Sequence, residues 1–233
     1  MAQQEYPAGH LSFIQTALSR PLTVFLPPVH RHMDAQYVEA FKEKGHLRIS
    51  SFAVFKQHKD EHRGDKSEGS AFSLVNDTEN NRSFGVFTVS GSNAYALSAT
   101  ARTGPDISEA FGPSSFEIFE LIGFSAAIAN ELPGCTGAMI SQCIYVDQKM
   151  LVSTGAAPSV EDFKVDGDSK NLSLEKVMSY GSSITGPKPR FLKDRKFEWQ
   201  TEYWFIWETN KPVTSHLDIV APEVRRFCKF KDN

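Results

Sequence analysis

The chain has 233 residues, of which 40% are hydrophobic and 23% charged, and its formal net charge is −3 at pH 7. This ordinary globular balance argues against wholesale disorder, and the length favours one domain spanning 1–233. The negative net charge argues against a general, charge-driven nucleic-acid binder, because such proteins neutralise many phosphates with Lys and Arg.

Cysteine usage and hydropathy predict a cytoplasmic protein. The three cysteines, Cys135, Cys143 and Cys228, show no short-range pairing pattern and are typical of reduced thiols. The first ten residues lack the basic and apolar regions of a signal peptide. No stretch approaches the ~18 apolar residues that span a bilayer, so we expect no membrane partner.

The first clear elements are a helix and a strand. Asp34 is a candidate N-cap, and Gly45 is a natural stop at the other end of the helix. In the following run, Leu47 and Ile49 point one way and Arg48 the other, which is strand alternation. Residues 56–70 carry no apolar side chain and predict a long polar loop or lid.

The middle of the chain reads as an antiparallel meander followed by a helix. Three β-rich runs, 70–75, 83–90 and 94–100, are separated by Asn, Gly and Ser clusters. The last run places Ser98 and Thr100 on one face. Residues 114–134 have helical apolar spacing and predict one helix that ends at Pro133-Gly134.

The most informative segment is the aromatic run 198–208, predicted to be a strand. Alternation places Gln200 and Glu202 on the face shared with Trp204, whereas Tyr203 points into the opposite layer. A carboxylate on such a face is expensive to bury unless it is paired or functional. The basic run that precedes this strand, 188–196, is interpreted as solvated surface.

An early Arg, a central Ser/Thr pair and a late Gln-x-Glu follow one another along the chain. This order resembles the Arg / Ser-Thr-Ser / Glu pattern of toxin-type ADP-ribosyltransferases. The layout over roughly residues 30–210 is also similar to an uncharacterised bacterial and phage family. Its motifs correspond to G-x-L-x-x-S at Gly45–Ser50, Leu97-Ser98, and F-x-x-Q-x-E-Y at Phe197–Tyr203.

The resemblance implies an α+β fold of two packed, mainly antiparallel sheets with peripheral helices and an NAD cleft. NAD would be a substrate, with Arg48 on its phosphates or ribose and Ser98, helped by Thr100, bracing the nicotinamide ribose. Glu202 would bond the ribose 2′-hydroxyl and stabilise the oxocarbenium-like centre. Gln200 would face the acceptor, and Tyr203 could stack on the nicotinamide.

The resemblance also implies an effector, a toxin or phage-defence enzyme with a possible neutralising antitoxin. The central motif here is Ser-Ala-Thr rather than Ser-Thr-Ser. Gln at position 200 goes with acceptors other than arginine in such toxins. A nucleic-acid base in RNA or DNA and a protein side chain both remain candidate acceptors.

Other interpretations of the sequence remain open. His58, Glu61 and His62 have the H-x-x-E-H spacing of zinc peptidases, which would make the chain a zinc-dependent hydrolase. Arg63, Asp65 and Glu68 could instead belong to the NAD or acceptor site on a closing lid. His30 or His32 could serve a ribose, as in the His-Tyr-Glu branch of transferases. A non-catalytic interaction protein with the same fold is the alternative from another class.

Overall fold

A computed structural model describes residues 26–57, 65–165 and 168–230. The strands in these residues are β1 (Val29–Met33), β2 (His46–Ser51), β3 (Ser70–Asp77), β4 (Arg82–Val89), β5 (Ala94–Thr100), β6 (Ser114–Ile118), β7 (Cys135–Gln142), β8 (Ile144–Val146), β9 (Met150–Thr154), β10 (Lys164–Val165), β11 (Asp168–Leu172), β12 (Leu192–Asp194), β13 (Glu202–Thr209), β14 (His216–Val220) and β15 (Cys228–Phe230). The α-helices are α1 (Ala35–Lys44), α2 (Phe52–Gln57), α3 (Pro105–Phe111), α4 (Leu121–Glu131) and α5 (Leu174–Thr185). Short 3-10 helices span Val160–Phe163, Lys188–Phe191, Arg195–Gln200 and Pro222–Phe227. The predicted α+β class with mainly antiparallel sheets and several helices is confirmed.

The largest sheet has eight strands and branches at β5. Strand β13 pairs with the whole length of β5, from Ala94 opposite Glu208 to Thr100 opposite Glu202. Strand β7 continues the sheet beyond β13. Strands β2 and β1 therefore share the opposite edge of β5, with β14 beyond β2 and with β6 and β15 beyond β1.

The two branches leave a gap along β5. Strand β2 pairs with Tyr95 and Ala96 near the start of β5, and β1 pairs with Thr100 at its end. Neither β1 nor β2 pairs with Ser98, which lies between these contacts. The fork in the sheet therefore leaves room for a cavity beside Ser98.

Alternation along the strands separates two apolar cores on the two faces of this sheet. On one face, Leu97, Phe205 and Trp207 pack with helix residues such as Phe41 of α1 and Phe124 of α4. The other face carries the smaller core, whose buried members are Phe52, Ala94, Ala96, Cys143, Phe191, Trp204 and Ile206. The predicted facing of β13 is confirmed, because its odd-numbered and even-numbered aromatic residues lie in different cores.

The predicted helix over 114–134 is wrong in its first part. Residues 114–118 form strand β6, which pairs with β1 on one edge and β15 on the other. Phe116 and Ile118 are buried two residues apart, as a strand requires. The helix begins only at Leu121, where the Glu120 carboxylate accepts a hydrogen bond from the Gly123 N–H at 2.7 Å. Tertiary pairing overrides the helical spacing here.

The predicted meander is divided between two sheets. Strands β3 and β4 form the expected antiparallel hairpin, but β5 enters the eight-stranded sheet instead of extending the hairpin. The third neighbour of the hairpin is β9, which pairs with β3 in parallel. Glu68, two residues before β3, lies at the cavity.

The ends of α1 match the sequence signals for a helix. Gly45 follows the helix in the left-handed conformation, with φ 73°, and its N–H donates to the Phe41 carbonyl at 2.8 Å. Asp34 precedes it as the N-cap residue in extended conformation, but its side chain makes no capping hydrogen bond with the described residues. Among the described helices, none has the length and apolar character needed to cross a bilayer.

Candidate functional site

A cavity of about 720 Å³ lies at the fork of the eight-stranded sheet. Arg48 of β2, Ser98 of β5 and Glu202 of β13 all line it, as do Glu68 and Lys193. Its volume is within the range of small-molecule sites. Three of the side chains predicted from separate sequence motifs are therefore brought to one cavity.

Arg48 lies at the rim of this cavity and is held by an acidic neighbour on the next strand. Its Nε and Nη2 donate to the two carboxylate oxygens of Asp218 at 2.7 and 2.9 Å. The side chains are 55% and 62% exposed, so solvent screens the pair. The hydrogen bond raises the pKa of Arg48 and lowers the pKa of Asp218. His46 and His216 line the same rim.

Ser98 is engaged by an arginine that bridges the fork. Arg31 Nη1 donates to the Ser98 carbonyl at 2.7 Å and to its Oγ at 3.2 Å. The guanidinium thus supplies a donor along the stretch of β5 that is not paired with β1 or β2. Arg31 and Ser98 both line the cavity, so this contact forms part of its wall.

Glu202 forms a buried ion pair at the base of the cavity. Its Oε2 accepts a short hydrogen bond from Lys193 Nζ, and each side chain is 6% exposed. The backbone N–H of Glu202 donates to the phenolic oxygen of Tyr145 at 2.7 Å. Lys193 therefore fixes one carboxylate oxygen of Glu202, Oε2, at the cavity.

A second carboxylate approaches the same lysine. Glu68 Oε1 lies 3.5 Å from Lys193 Nζ, and the side chain of Glu68 is 3% exposed. Neither carboxylate oxygen of Glu68 accepts a hydrogen bond from the described residues. Lys193 is therefore shared by two carboxylates, with hydrogen bonding to only one of them.

Burial and charge set the protonation of this cluster. Burial raises the pKa of Glu68 to about 8 against the lowering effect of Lys193, and Glu202 adds to the rise. Burial alone would lower the pKa of Lys193, but Glu202 and Glu68 raise it above its usual value. Burial also raises the pKa values of Cys143 and Tyr145 beside the cluster. Burial thus favours the protonated form of Glu68, whereas the two carboxylates favour the charged form of Lys193.

Aromatic side chains form one wall of the cavity. Trp204 and Phe55 both line it, with ring centroids 5.1 Å apart. Phe52 packs against Trp204 at 5.4 Å. The indole N–H of Trp204 is buried and has no hydrogen-bond partner among the described residues. Trp204 is 1% exposed, so the accessible ring of this wall is the partly buried Phe55.

Three predicted site residues do not line the cavity. Gln200 is fully buried and belongs to the 3-10 helix 195–200, because Thr201, with φ 44°, separates it from β13. The hydroxyl group of Thr100 donates a hydrogen bond to the Gln200 carbonyl oxygen at 2.5 Å. Tyr203 lies in the core on the opposite face of the sheet. Tyr203 therefore does not reach a ligand in this cavity, and Gln200 does not face an acceptor there.

The polar loop and the basic run also differ from expectation. The predicted lid over 56–70 begins within α2, and its end is buried, since Asp65 bonds Lys149 at 2.6 Å and is 8% exposed. Lys193 was predicted to lie on solvated surface, but it is 5% exposed. The two apolar residues that precede it, Phe191 and Leu192, were the available signal of burial.

The zinc-peptidase spacing at His58, Glu61 and His62 lies outside the described residues, as does Arg63. Within 26–57, 65–165 and 168–230, no cluster of three His, Cys, Asp or Glu residues is arranged to hold a metal.

His32 lines the cavity, with Nδ1 3.4 Å from the Gly112 carbonyl oxygen. Its position is compatible with the ribose role considered from the sequence. Among the described residues, however, no tyrosine of the central strands lines the cavity, and the tyrosine that does is Tyr37 of α1.

Comparison with known proteins adds no family assignment, since no protein-family model, curated protein or solved structure matches the chain.

Proposed function

We propose that the chain is a mono-ADP-ribosyltransferase with an ADP-ribosyltransferase-like fold that binds NAD in the cavity at the fork and releases nicotinamide. The observation that carries the proposal is the convergence of Arg48, Ser98 and Glu202 on one cavity. These residues lie on three strands, β2, β5 and β13, and are far apart in the sequence. Their common cavity supports the set as one site.

Glu202 is the proposed catalytic residue. Cleavage of the bond between nicotinamide and ribose develops positive charge at the ribose C1′, and a fixed carboxylate stabilises that charge. Lys193 fixes Oε2, and Oε1 is the oxygen offered to the ribose. Because Lys193 is held in place before substrate binds, the carboxylate needs little reorganisation in the transition state.

The remaining contacts bind and orient NAD. Arg48 at the rim supplies a guanidinium for the phosphates. The phosphates would share this guanidinium with Asp218 or displace Asp218 from it. Ser98 Oγ, held by Arg31, braces the nicotinamide ribose. Phe55, which packs on Trp204, replaces Tyr203 as the surface for the nicotinamide ring.

The acceptor of ADP-ribose is proposed as a chemical class. ADP-ribose would pass to a nucleic-acid base or a protein side chain, as expected for a cytoplasmic toxin or phage-defence effector with a neutralising antitoxin. Gln200 is removed from the acceptor site because it is buried. Labelled NAD incubated with cell lysate separates the classes, since label enters RNA, DNA or protein.

The test of catalysis is nicotinamide release from NAD by the purified wild type and by Glu202→Gln. We expect Glu202→Gln to lose at least about 100-fold in rate, because one transition-state contact of this kind contributes that much. Glu198→Gln is the matched control, because Glu198 is exposed and lies in the preceding 3-10 helix. Equal rates for wild type and Glu202→Gln contradict the proposal.

One observation favours a non-catalytic interaction protein as the second candidate. One face of the three-stranded sheet exposes an apolar cross-strand row, in which Phe87 is 64% exposed and Met150 42%. Phe72, between them on β3, pairs with Phe87 and Met150. Exposed apolar patches of this kind mark interaction surfaces. Under this candidate, NAD neither raises the melting temperature nor is consumed.

A further inference from the structure

Glu68 has an environment that an unliganded carboxylate seldom has. It lines the cavity, it is 2% exposed, and neither of its oxygens accepts a hydrogen bond from the described residues. Burying a carboxylate without donors is costly. Either a proton or a donor group on a ligand is needed to satisfy it.

The charges around Glu68 show why it differs from Glu202. The groups that act on it are Lys193, Glu202, Asp65 and Lys149. Lys193 hydrogen-bonds Glu202 and only approaches Glu68, at 3.5 Å. Lys149 is bonded to Asp65 at 2.6 Å. Each of these two lysines thus has a closer anion than Glu68, and Glu68 has no hydrogen-bonded cation among the described residues.

We propose that Glu68 is a second catalytic residue of this site, the base that takes the proton from the attacking nucleophile. This inference rests on the proposed function, and it assigns the proton-transfer step of the same reaction. Two carboxylates in one cavity that differ in environment divide the electrostatic and proton-transfer roles. Lys193 is the positioning residue for both.

The step balances without any further reactant. The O–H or N–H bond of the acceptor breaks, and its electron pair forms the new bond to the ribose C1′. The bond from C1′ to the nicotinamide nitrogen breaks with its electrons, so nicotinamide leaves as a neutral molecule. The acceptor proton goes to a carboxylate oxygen of Glu68 and is later released to solvent.

The proposal gives the reaction a definite pH dependence. Glu68 can act as a base only when ionised, and burial raises its pKa to about 8. The rate of nicotinamide release with water as acceptor should therefore rise about tenfold per pH unit below pH 8 and level off above it. If Glu202 were the only catalytic carboxylate, the rate of nicotinamide release would not depend on the ionisation of Glu68.

The test compares NAD cleavage by wild type, Glu68→Gln, Glu68→Asp and the control Glu79→Gln, which alters an exposed carboxylate in the β3–β4 turn. Water is the acceptor, and azide is added as an anionic nucleophile that has no proton to lose. We expect Glu68→Gln to lose at least about 100-fold in rate together with the pH dependence. Azide should accelerate Glu68→Gln and yield ADP-ribosyl azide, while Glu68→Asp should keep the pH dependence at a reduced rate.

The outcomes separate this inference from the proposed function. A wild type that releases no nicotinamide overturns both. An active wild type whose rate and pH profile are retained in Glu68→Gln overturns the role of Glu68 alone. Loss of rate in Glu68→Gln without azide acceleration, with thermal unfolding and NAD affinity unchanged, also overturns the role as base, since a base is dispensable for an anionic nucleophile.

Discussion

Lys193 and Glu202 form an ion pair at the base of the cavity, with 6% of each side chain exposed. Taking two charges out of water is expensive, so such a pair is weak evidence for stability in itself. Removing one partner, however, leaves the other charge buried without its counterion. The pair is therefore best understood as fixing the position of a carboxylate in the cavity.

Lys193→Met should lower the free energy of unfolding by about 3–5 kcal/mol, because Glu202 and Glu68 lose their shared cation. The double variant Lys193→Met/Glu202→Gln should recover part of this loss, since neither partner then carries a charge. Urea unfolding of the two variants measures both effects. Lys196→Met is the control, because Lys196 is exposed. Unchanged stability in Lys193→Met contradicts the assignment of a buried pair.

Stability should depend on pH through Glu68. Its pKa rises from 4.5 to about 8 on folding, so the native state binds more protons than the unfolded state between these values. The stability contributed by protonated Glu68 is complete below pH 4.5 and is lost as pH rises through about 8. Relative to wild type, Glu68→Gln should gain up to about 1.4 kcal/mol per pH unit in this window.

This gain is measured by denaturant unfolding of both proteins at several pH values between 4.5 and 9. Glu79→Gln should show no comparable trend, because Glu79 is exposed. A stability difference between Glu68→Gln and wild type that stays constant with pH would mean that Glu68 titrates alike in the folded and unfolded states.

Strand alternation was enough to predict the facing of β13. Trp204 and Tyr203 lie on opposite faces as their sequence positions require, and Glu202 shares the face of Trp204. The same rule failed two residues before the strand, at Gln200. Thr201 adopts a positive φ of 44°, which local sequence does not reveal for a residue other than glycine, and Gln200 is thereby displaced from the strand.

Long-range contacts explain the other failures. The apolar neighbours Phe191 and Leu192 indicate a buried segment, but the burial of Lys193 depends on its contacts with Glu202 of β13 and with Glu68, which precedes β3. The fork at Ser98 is equally hidden, since it depends on how β1 and β2 share one edge of β5. Local patterns predicted the elements and several cavity residues, whereas the arrangement of charges required the fold.

Arg31 should matter more for stability than Ser98. Ser98→Ala leaves the 2.7 Å bond from Arg31 to the Ser98 carbonyl intact and removes only the 3.2 Å bond to Oγ, so a loss below about 1 kcal/mol is expected. Arg31→Met removes both hydrogen bonds to Ser98, in the stretch of β5 that pairs with neither β1 nor β2, and should cost about 1–3 kcal/mol. Thermal or urea unfolding ranks the two variants, and a larger loss in Ser98→Ala would reverse this account of the fork.

NAD affinity should respond in opposite directions to the two partners at the rim. Arg48→Ala removes the guanidinium proposed for the phosphates and should weaken NAD binding by roughly tenfold or more. Asp218→Ala frees Arg48 from its carboxylate, bonded at 2.7 and 2.9 Å, and should tighten binding. Both changes should alter stability by less than about 1 kcal/mol, because the pair is exposed.

Calorimetric titration with NAD at low and moderate salt measures these affinities, and the effect of Asp218→Ala should shrink as salt screens the rim. Lys42→Ala, which alters a partly exposed cation on α1, is the charge control for Arg48→Ala. If Asp218→Ala weakens binding as much as Arg48→Ala does, the ion pair itself shapes the rim, and Arg48 does not exchange Asp218 for a phosphate.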